Sequence, residues 1–208
     1  DGIVYKTVTI GEQVWMAENL AYLPSVVGPA TESYTAPYYY VYGYDGTSVA
    51  TAKATTNYQT YGVLYNWPAA LEACPDGWHL PSDAEWTQLE EYLIANGYNY
   101  DGTTSGNKIA ISLASANGWN SSTNTGAIGN NNTAYDAYRN KSGFSALPGG
   151  YRHNSGAFYD IGSLGYWWSS TELTTPNAWF RSLYYTTSSV ARDRVSEEFG
   201  FSVRCMRD

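Results

Sequence analysis

The chain is short of the groups on which most enzyme motifs are built. Its 208 residues hold two cysteines and two histidines. His79 and His153 are too far apart for the His-Glu-x-x-His zinc motif, and Cys-x-x-Cys does not occur. The nucleophile elbow Gly-x-Ser-x-Gly, the Walker loop and Gly-x-Gly-x-x-Gly are missing too. Basic charge is equally scarce, with 11 Lys and Arg against 19 Asp and Glu and a net charge of −8. Nucleic acid is therefore not an expected partner, because neutralising phosphates takes clustered cations. No apolar run approaches the ~18 residues of a membrane span, so membrane attachment would need an anchor upstream. The chain starts at Asp1 without Met and reads as a mature or trimmed piece, with its export signal or lipid anchor before it. No metal or other cofactor is expected.

Aromatics are abundant instead, at 16% of residues against 14% charged. Such a chain can bury a core. The excess lies in 21 Tyr and 8 Trp, with only 5 Phe. Tyr and Trp combine an apolar body with a polar handle, which suits both loop packing and binding surfaces. Cys74 and Cys205 are open to two readings, a long-range disulfide of an exported protein or two buried thiols.

The expected fold class is α+β: two helices, a twisted antiparallel sheet and long irregular loops, in one domain over 1–208. Residues 1–20 read as a hairpin. Val4, Lys6, Val8 and Ile10 alternate, and Gly11-Glu12 turns into Gln13-Val14-Trp15. Residues 24–61 read as an irregular insertion with one hairpin near Asp45-Gly46. A short helix is expected over 65–72. A second starts at Ser82, where Glu85 completes a capping box. It carries Trp86, Leu89 and Leu93 on one stripe and stops near Asn96-Gly97. Residues 97–140 are loop-rich, with one helical turn over 108–114. Residues 143–208 read as the sheet and the ligand-binding region, with strands over 144–147, 165–170, 178–185 and 199–206.

Three stretches carry a family resemblance. They are Gln13-Val14-Trp15-Met16-Ala17-Glu18-Asn19-Leu20; Cys74-Pro75-Asp76-Gly77-Trp78-His79-Leu80-Pro81-Ser82-Asp83-Ala84-Glu85-Trp86; and a C-terminal block containing Gly149-Gly150-Tyr151-Arg152, Gly165-Tyr166-Trp167-Trp168-Ser169-Ser170 and Gly200-Phe201-Ser202-Val203-Arg204-Cys205. This pattern resembles the Fibrobacter succinogenes major paralogous domain family of bacterial exported proteins and lipoproteins, over nearly the whole chain except 24–59. It also resembles the formylglycine-generating-enzyme superfamily, which implies a C-type-lectin-like fold. The paired active-site cysteines of that superfamily have no match here, and neither does the calcium signature Glu-Pro-Asn of the lectins. The resemblance therefore implies a scaffold, and a scaffold does not set function.

A narrower resemblance concerns variable proteins of diversity-generating retroelements, in which template adenines are randomised and Asn codons diversify. Between Tyr184 and Ser196, the residues Tyr, Thr, Ser, Ala, Asp and Val are all reachable from an Asn codon. Glu197 and Glu198 are not, and would be framework. This likeness adds Ala191 and Asp193 to the candidate site.

Strand period supplies the rest of that site. Leu183 marks one face as packed, together with Trp179, Tyr185 and a paired or snorkelling Arg181. The opposite face, with Phe180, Ser182, Tyr184 and Thr186, is expected to be exposed. His153 and Asn154 in one loop, and Tyr159 and Asp160 at a turn, are expected beside it. One of Trp167 and Trp168 should fill the core while the other lines the patch. His79 is expected to be structural.

These features point to a non-catalytic, exported or cell-surface binding or adhesion module for a protein or glycan. Rigid aromatics mixed with small polar residues resemble antibody paratopes. Two alternatives belong to other classes. One is an enzyme akin to the formylglycine-generating enzymes or a glycan hydrolase, although nothing singles out a carboxylate pair. The other is a structural pilus-tip or envelope component. Oligomeric state stays open.

Overall fold

The computed structural model describes residues 2–208. The N-terminal hairpin forms as its alternation predicts, with β1 (Thr7–Ile10) antiparallel to β2 (Gln13–Met16). Gly11 makes its turn at φ +63°, and a Cβ there would meet the Tyr92 ring at 2.9 Å. The insertion contributes β3 (Tyr39–Tyr40), α1 (Val49–Lys53) and α2 (Thr56–Tyr61). Its expected hairpin at Asp45-Gly46 is absent. The chain turns instead at Tyr42-Gly43, where the Tyr44 N–H donates to the Val41 carbonyl, and β3 pairs with β4 (Leu64–Tyr65). Ser48 and Thr55 cap the two unforeseen helices.

The two expected helices are α3 (Trp67–Glu72), capped by Asn66, and α4 (Asp83–Ala95), which follows β5 (Trp78–His79). Both halves of the Ser82–Glu85 capping box are made, and Trp86, Leu89 and Leu93 are buried. A one-turn helix, α5 (Ala110–Leu113), lies within the predicted helical turn. The C-terminal third holds β6 (Gly149–Arg152), β7 (Phe158–Ile161), β8 (Leu164–Thr174), β9 (Asn177–Tyr184), β10 (Val190–Ser196) and β11 (Met206–Arg207).

The five-stranded sheet runs β10-β9-β8-β6-β7, and the N-terminal sheet runs β1-β2-β11-β5. Three expectations are corrected here. Residues 144–147 form only an isolated bridge between Ala146 and Ala114, and within 199–206 only Gly200, Phe201 and Ser202 make isolated bridges and only Met206 lies in a strand. Residues 190–196, outside the expected strands, are a seven-residue strand registered against β9. The sheet is not purely antiparallel, because β6 and β8 run parallel at Gly150 and Gly165.

The five-stranded sheet separates two hydrophobic clusters. Successive strand residues point to opposite faces, so Trp168 enters the cluster with Tyr166, Phe180 and Phe201, while Trp167 enters the one with Trp15, Trp86, Phe144 and Leu183. Both tryptophans are buried, which corrects the expectation that one lines a patch.

Three arginines, Arg152, Arg181 and Arg204, are fully buried and tie the loops to this sheet. Arg204 has no carboxylate partner. It donates to Ser145 O at 2.7 Å, Asn19 Oδ1 at 3.1 Å and Met16 O at 3.4 Å, and also to Phe144 O. Burial pushes its pKa down to about 9, and these acceptors hold it cationic at neutral pH. Arg152 clamps the insertion through Pro29 O and Thr31 O, and the C-terminal segment through Glu198 O. Arg181 pairs with Asp83 at 2.7 Å and Glu90 at 2.5 Å on α4, as its expected pairing required. Cys74 and Cys205 form a disulfide across 131 residues. No helix among the described residues is long and apolar enough to cross a membrane.

Candidate functional site

The candidate site grows out of the open rim of the first cluster. Tyr151 on β6 is its hub. Its ring lies 5.7 Å from Tyr159 on β7, 6.4 Å from His153, 4.9 Å from Tyr166 on β8, and stacks at 6.0 Å on Phe199. Tyr166 continues the array to Tyr184 on β9 at 6.4 Å. Gly150 makes this layout possible. At φ +64°, a Cβ would sit 2.2 Å from the Tyr159 carbonyl, so only glycine lets β7 approach. Tyr159 is the most open ring, at 46% exposure. His153 and Tyr184 are half-buried.

His153 opens the β6–β7 hairpin loop, where its Nδ1 is 2.8 Å from Ser155 Oγ. Asn154 follows it in that loop, half-buried. Asp160 sits in the left-handed region at φ 66°, and its carbonyl accepts from the Ser163 N–H at 2.9 Å. Asp tolerates this conformation better than most residues, and the turn leaves Asp160 exposed beside Tyr159. Burial raises the Tyr151 pKa, with Asp160, Tyr159 and Tyr184 adding to the effect. Burial raises Tyr166 further, and its hydrogen bond with Tyr184 reinforces this. Both hydroxyls stay protonated, and the exposed Asp160 carboxyl group lies at the edge of the array. Ring faces and a ring of donors suit a sugar ring or a planar side chain.

Sequence reasoning placed several residues of β9 and its end wrongly. Phe180 is only 8% exposed and Ser182 only 1%. Phe201 lies 5.0 Å from Phe180 and covers that face, while Leu183 and Arg181 are buried on the other. A hydrophobic cluster lies on each face of β9, with Phe180 in one and Leu183 in the other, so period alone cannot choose an exposed face. The Ser182 hydroxyl is buried without a hydrogen-bond partner. Tyr184 stays on the rim. Ala191 and Asp193 register opposite Ser182 and Phe180, which extends the same face along β10. Thr186 lies beyond the strand end and lines a separate groove with Tyr185. Tyr185 is thus not packed as expected. Trp179 is half-buried under the Arg192 guanidinium, 3.7 Å from its ring centroid.

Tyr151, Tyr166 and Phe199 were missed. No local signal marked them, because the packing of Arg152 and Phe201 against distant chain fixes where these rings lie.

A model of the Fibrobacter succinogenes major domain matches residues 8–207. The chain belongs to that family. No curated protein and no solved structure matches it. In this Fibrobacter succinogenes major domain, the motif residues are largely scaffold. Asn19 Oδ1 accepts from Trp167 Nε1 at 3.0 Å and from Arg204. His79 bridges Asp208 at 2.6 Å and Glu85 at 3.1 Å, a structural role. Among the described residues, no three His, Cys, Asp or Glu gather where a metal ion could sit.

Proposed function

We propose that the chain is an exported, non-catalytic binding or adhesion module with a C-type-lectin-like scaffold, capturing a protein or glycan at a cell surface. The observation that carries this reading is the half-open array of Tyr151, His153, Tyr159, Tyr184 and Phe199 with Asp160 at its edge. The array is rigid, being backed by the core and by the buried Arg152. Rigid aromatics give contact area at low entropic cost. The scaffold assignment is supported by the chain ends meeting in one sheet, where Met206 of β11 registers with Trp15 of β2, and by the disulfide beside that junction. The disulfide also favours an oxidising compartment.

The test is capture from arrays of glycans and surface proteins by the chain and by the double variant Tyr159→Ala/His153→Ala. Both side chains are partly exposed, so the thermal midpoint should hold while capture is lost. Undiminished capture by the double variant would remove the aromatic rim from the reading. A retroelement-diversified version is favoured by one placement: Tyr184, Ala191 and Asp193 share a sheet face. It requires an adjacent near-copy of the last coding segment and a reverse transcriptase gene. Without both, only the undiversified module stands.

A further inference from the structure

A second concave feature lies beyond the end of β9, on the far side of the turn that carries Asp160. It is an open groove of about 780 Å³, and every residue lining it is uncharged, chiefly Asn, Ser and Thr with the one ring of Tyr185. The groove is built from a chain of amide bonds. Asn124 Nδ2 donates to the Thr186 carbonyl at 2.9 Å, and Asn130 Nδ2 donates to the Asn124 carbonyl at 2.8 Å. Asn130 Oδ1 accepts from the Asn132 N–H, and Asn132 Oδ1 accepts from the Ala134 N–H, both at 2.9 Å. From behind, Arg139 donates to the carbonyls of Ile128, Asn130 and Asn132. The floor is tied to the sheet, since the Gly129 N–H donates to the Tyr185 carbonyl at 2.9 Å and the Tyr185 N–H to the Ser163 carbonyl at 3.0 Å.

This bonding uses half of several amides and leaves the other half over. Each Asn amide offers two donors and a two-lone-pair acceptor. Asn124 spends its NH2 and keeps Oδ1, whereas Asn132 spends Oδ1 and keeps its NH2. The Asn131 amide makes no hydrogen bond with the described residues and is exposed. Asn124 Oδ1 and the Asn132 NH2 are thus a pre-aimed acceptor and donor, with the exposed Asn131 amide and the Tyr185 ring beside them. Pre-organisation of this kind lowers the ordering cost of binding. The ligand chemistry follows. Phosphates and acidic polymers need cations, and the lining has none. A peptide bound by strand addition needs a free strand edge, and these walls are loops. Vicinal hydroxyls, each both donor and acceptor, match side-by-side amide N–H and C=O groups, and the C–H face of a pyranose matches Tyr185.

We propose that this groove is a binding site for a neutral oligosaccharide, distinct from the tyrosine rim. The test is titration calorimetry on the whole chain with cellohexaose, xylohexaose and mannohexaose. Hyaluronan hexasaccharide serves as the acidic arm and an uncharged hexapeptide as the peptide arm. At least one neutral hexasaccharide should bind at one site. Asn131→Ala and Tyr185→Ala should each weaken it roughly tenfold. Asn131→Ala should leave the thermal midpoint unchanged, since that amide supports nothing in the fold. Tyr159→Ala should leave this binding intact, which separates the groove from the rim. The proposal is overturned if no neutral hexasaccharide binds at millimolar concentration, if only the acidic or peptide arm binds, if both groove variants bind as the parent does, or if Tyr159→Ala abolishes the binding instead.

Discussion

Replacing Arg204 by Met tests the claim that the buried arginines hold this fold together. Arg204 is fully buried with a partner set made of oxygens and no carboxylate. Met keeps much of the stem volume and removes every donor. Asn19 Oδ1 keeps Trp167 Nε1 as a donor, and the 3.4 Å contact to Met16 O is weak. The Phe144 and Ser145 carbonyls lose the donors that Arg204 supplied. At about 1–3 kcal/mol for each unsatisfied buried acceptor, the direct loss is about 2–6 kcal/mol. Relief of the arginine's own desolvation offsets part of this, as replacements of buried ion pairs show. The expected net cost is about 3–4 kcal/mol, against a total stability of roughly 5–15 kcal/mol. The assay is urea denaturation followed by tryptophan fluorescence with the disulfide intact. Arg194→Met is the control, because Arg194 is exposed and its side chain has no partner among the described residues; it should cost less than about 0.5 kcal/mol. An Arg204→Met cost below about 1 kcal/mol, within the range of ordinary substitutions, would refute the view that the carbonyl cradle depends on this cation.

Phe180→Ala should destabilise by about 3–5 kcal/mol through a cavity beside Phe201; a thermal midpoint that barely moved would return Phe180 to the surface. Cys74→Ser with Cys205→Ser frees a loop of 131 residues, and the chain-entropy model puts the loss at about 5 kcal/mol. An unchanged urea midpoint would argue that the unfolded chain is already restricted. The third concerns pH. Burial alone would lower the His79 pKa, but hydrogen bonds to Asp208 and Glu85 raise it above its ordinary value of 6.5. The stabilisation is complete below the unfolded pKa and is lost as pH rises through the folded one. The urea midpoint should therefore fall as pH rises from the ordinary histidine range through the raised pKa, and His79→Gln should flatten that fall; an equal fall in the variant would assign it elsewhere.

Local signals carried well where the partners are close in sequence. The β1–β2 hairpin follows from alternation around Gly11-Glu12, and α4 follows from Ser82, Glu85 and the Trp86–Leu89–Leu93 stripe. They failed where burial depends on distant chain. Residues 190–196 look polar because Arg192, Asp193 and Arg194 face solvent on an edge strand, a common guard against edge pairing. The insertion hid two short helices because five or six residues are too few to show a helical period, and α2 is built mostly of the weak formers Thr, Asn and Tyr; the caps on Ser48 and Thr55 start both helices.

The sequence by itself determined the family, the α+β class, the capped helix and the aromatic surplus, because each is a matter of residue types at short spacings. Only the tertiary structure decided which aromatics remain at the surface. Phe180 and Tyr151 are both strand aromatics, and nothing local distinguishes them. Phe201, arriving from the end of the chain, covers Phe180 and leaves the Tyr151 rim half open. It was likewise the long-range approach of residues 120–132 to the end of β9 that turned an asparagine-rich loop into a groove.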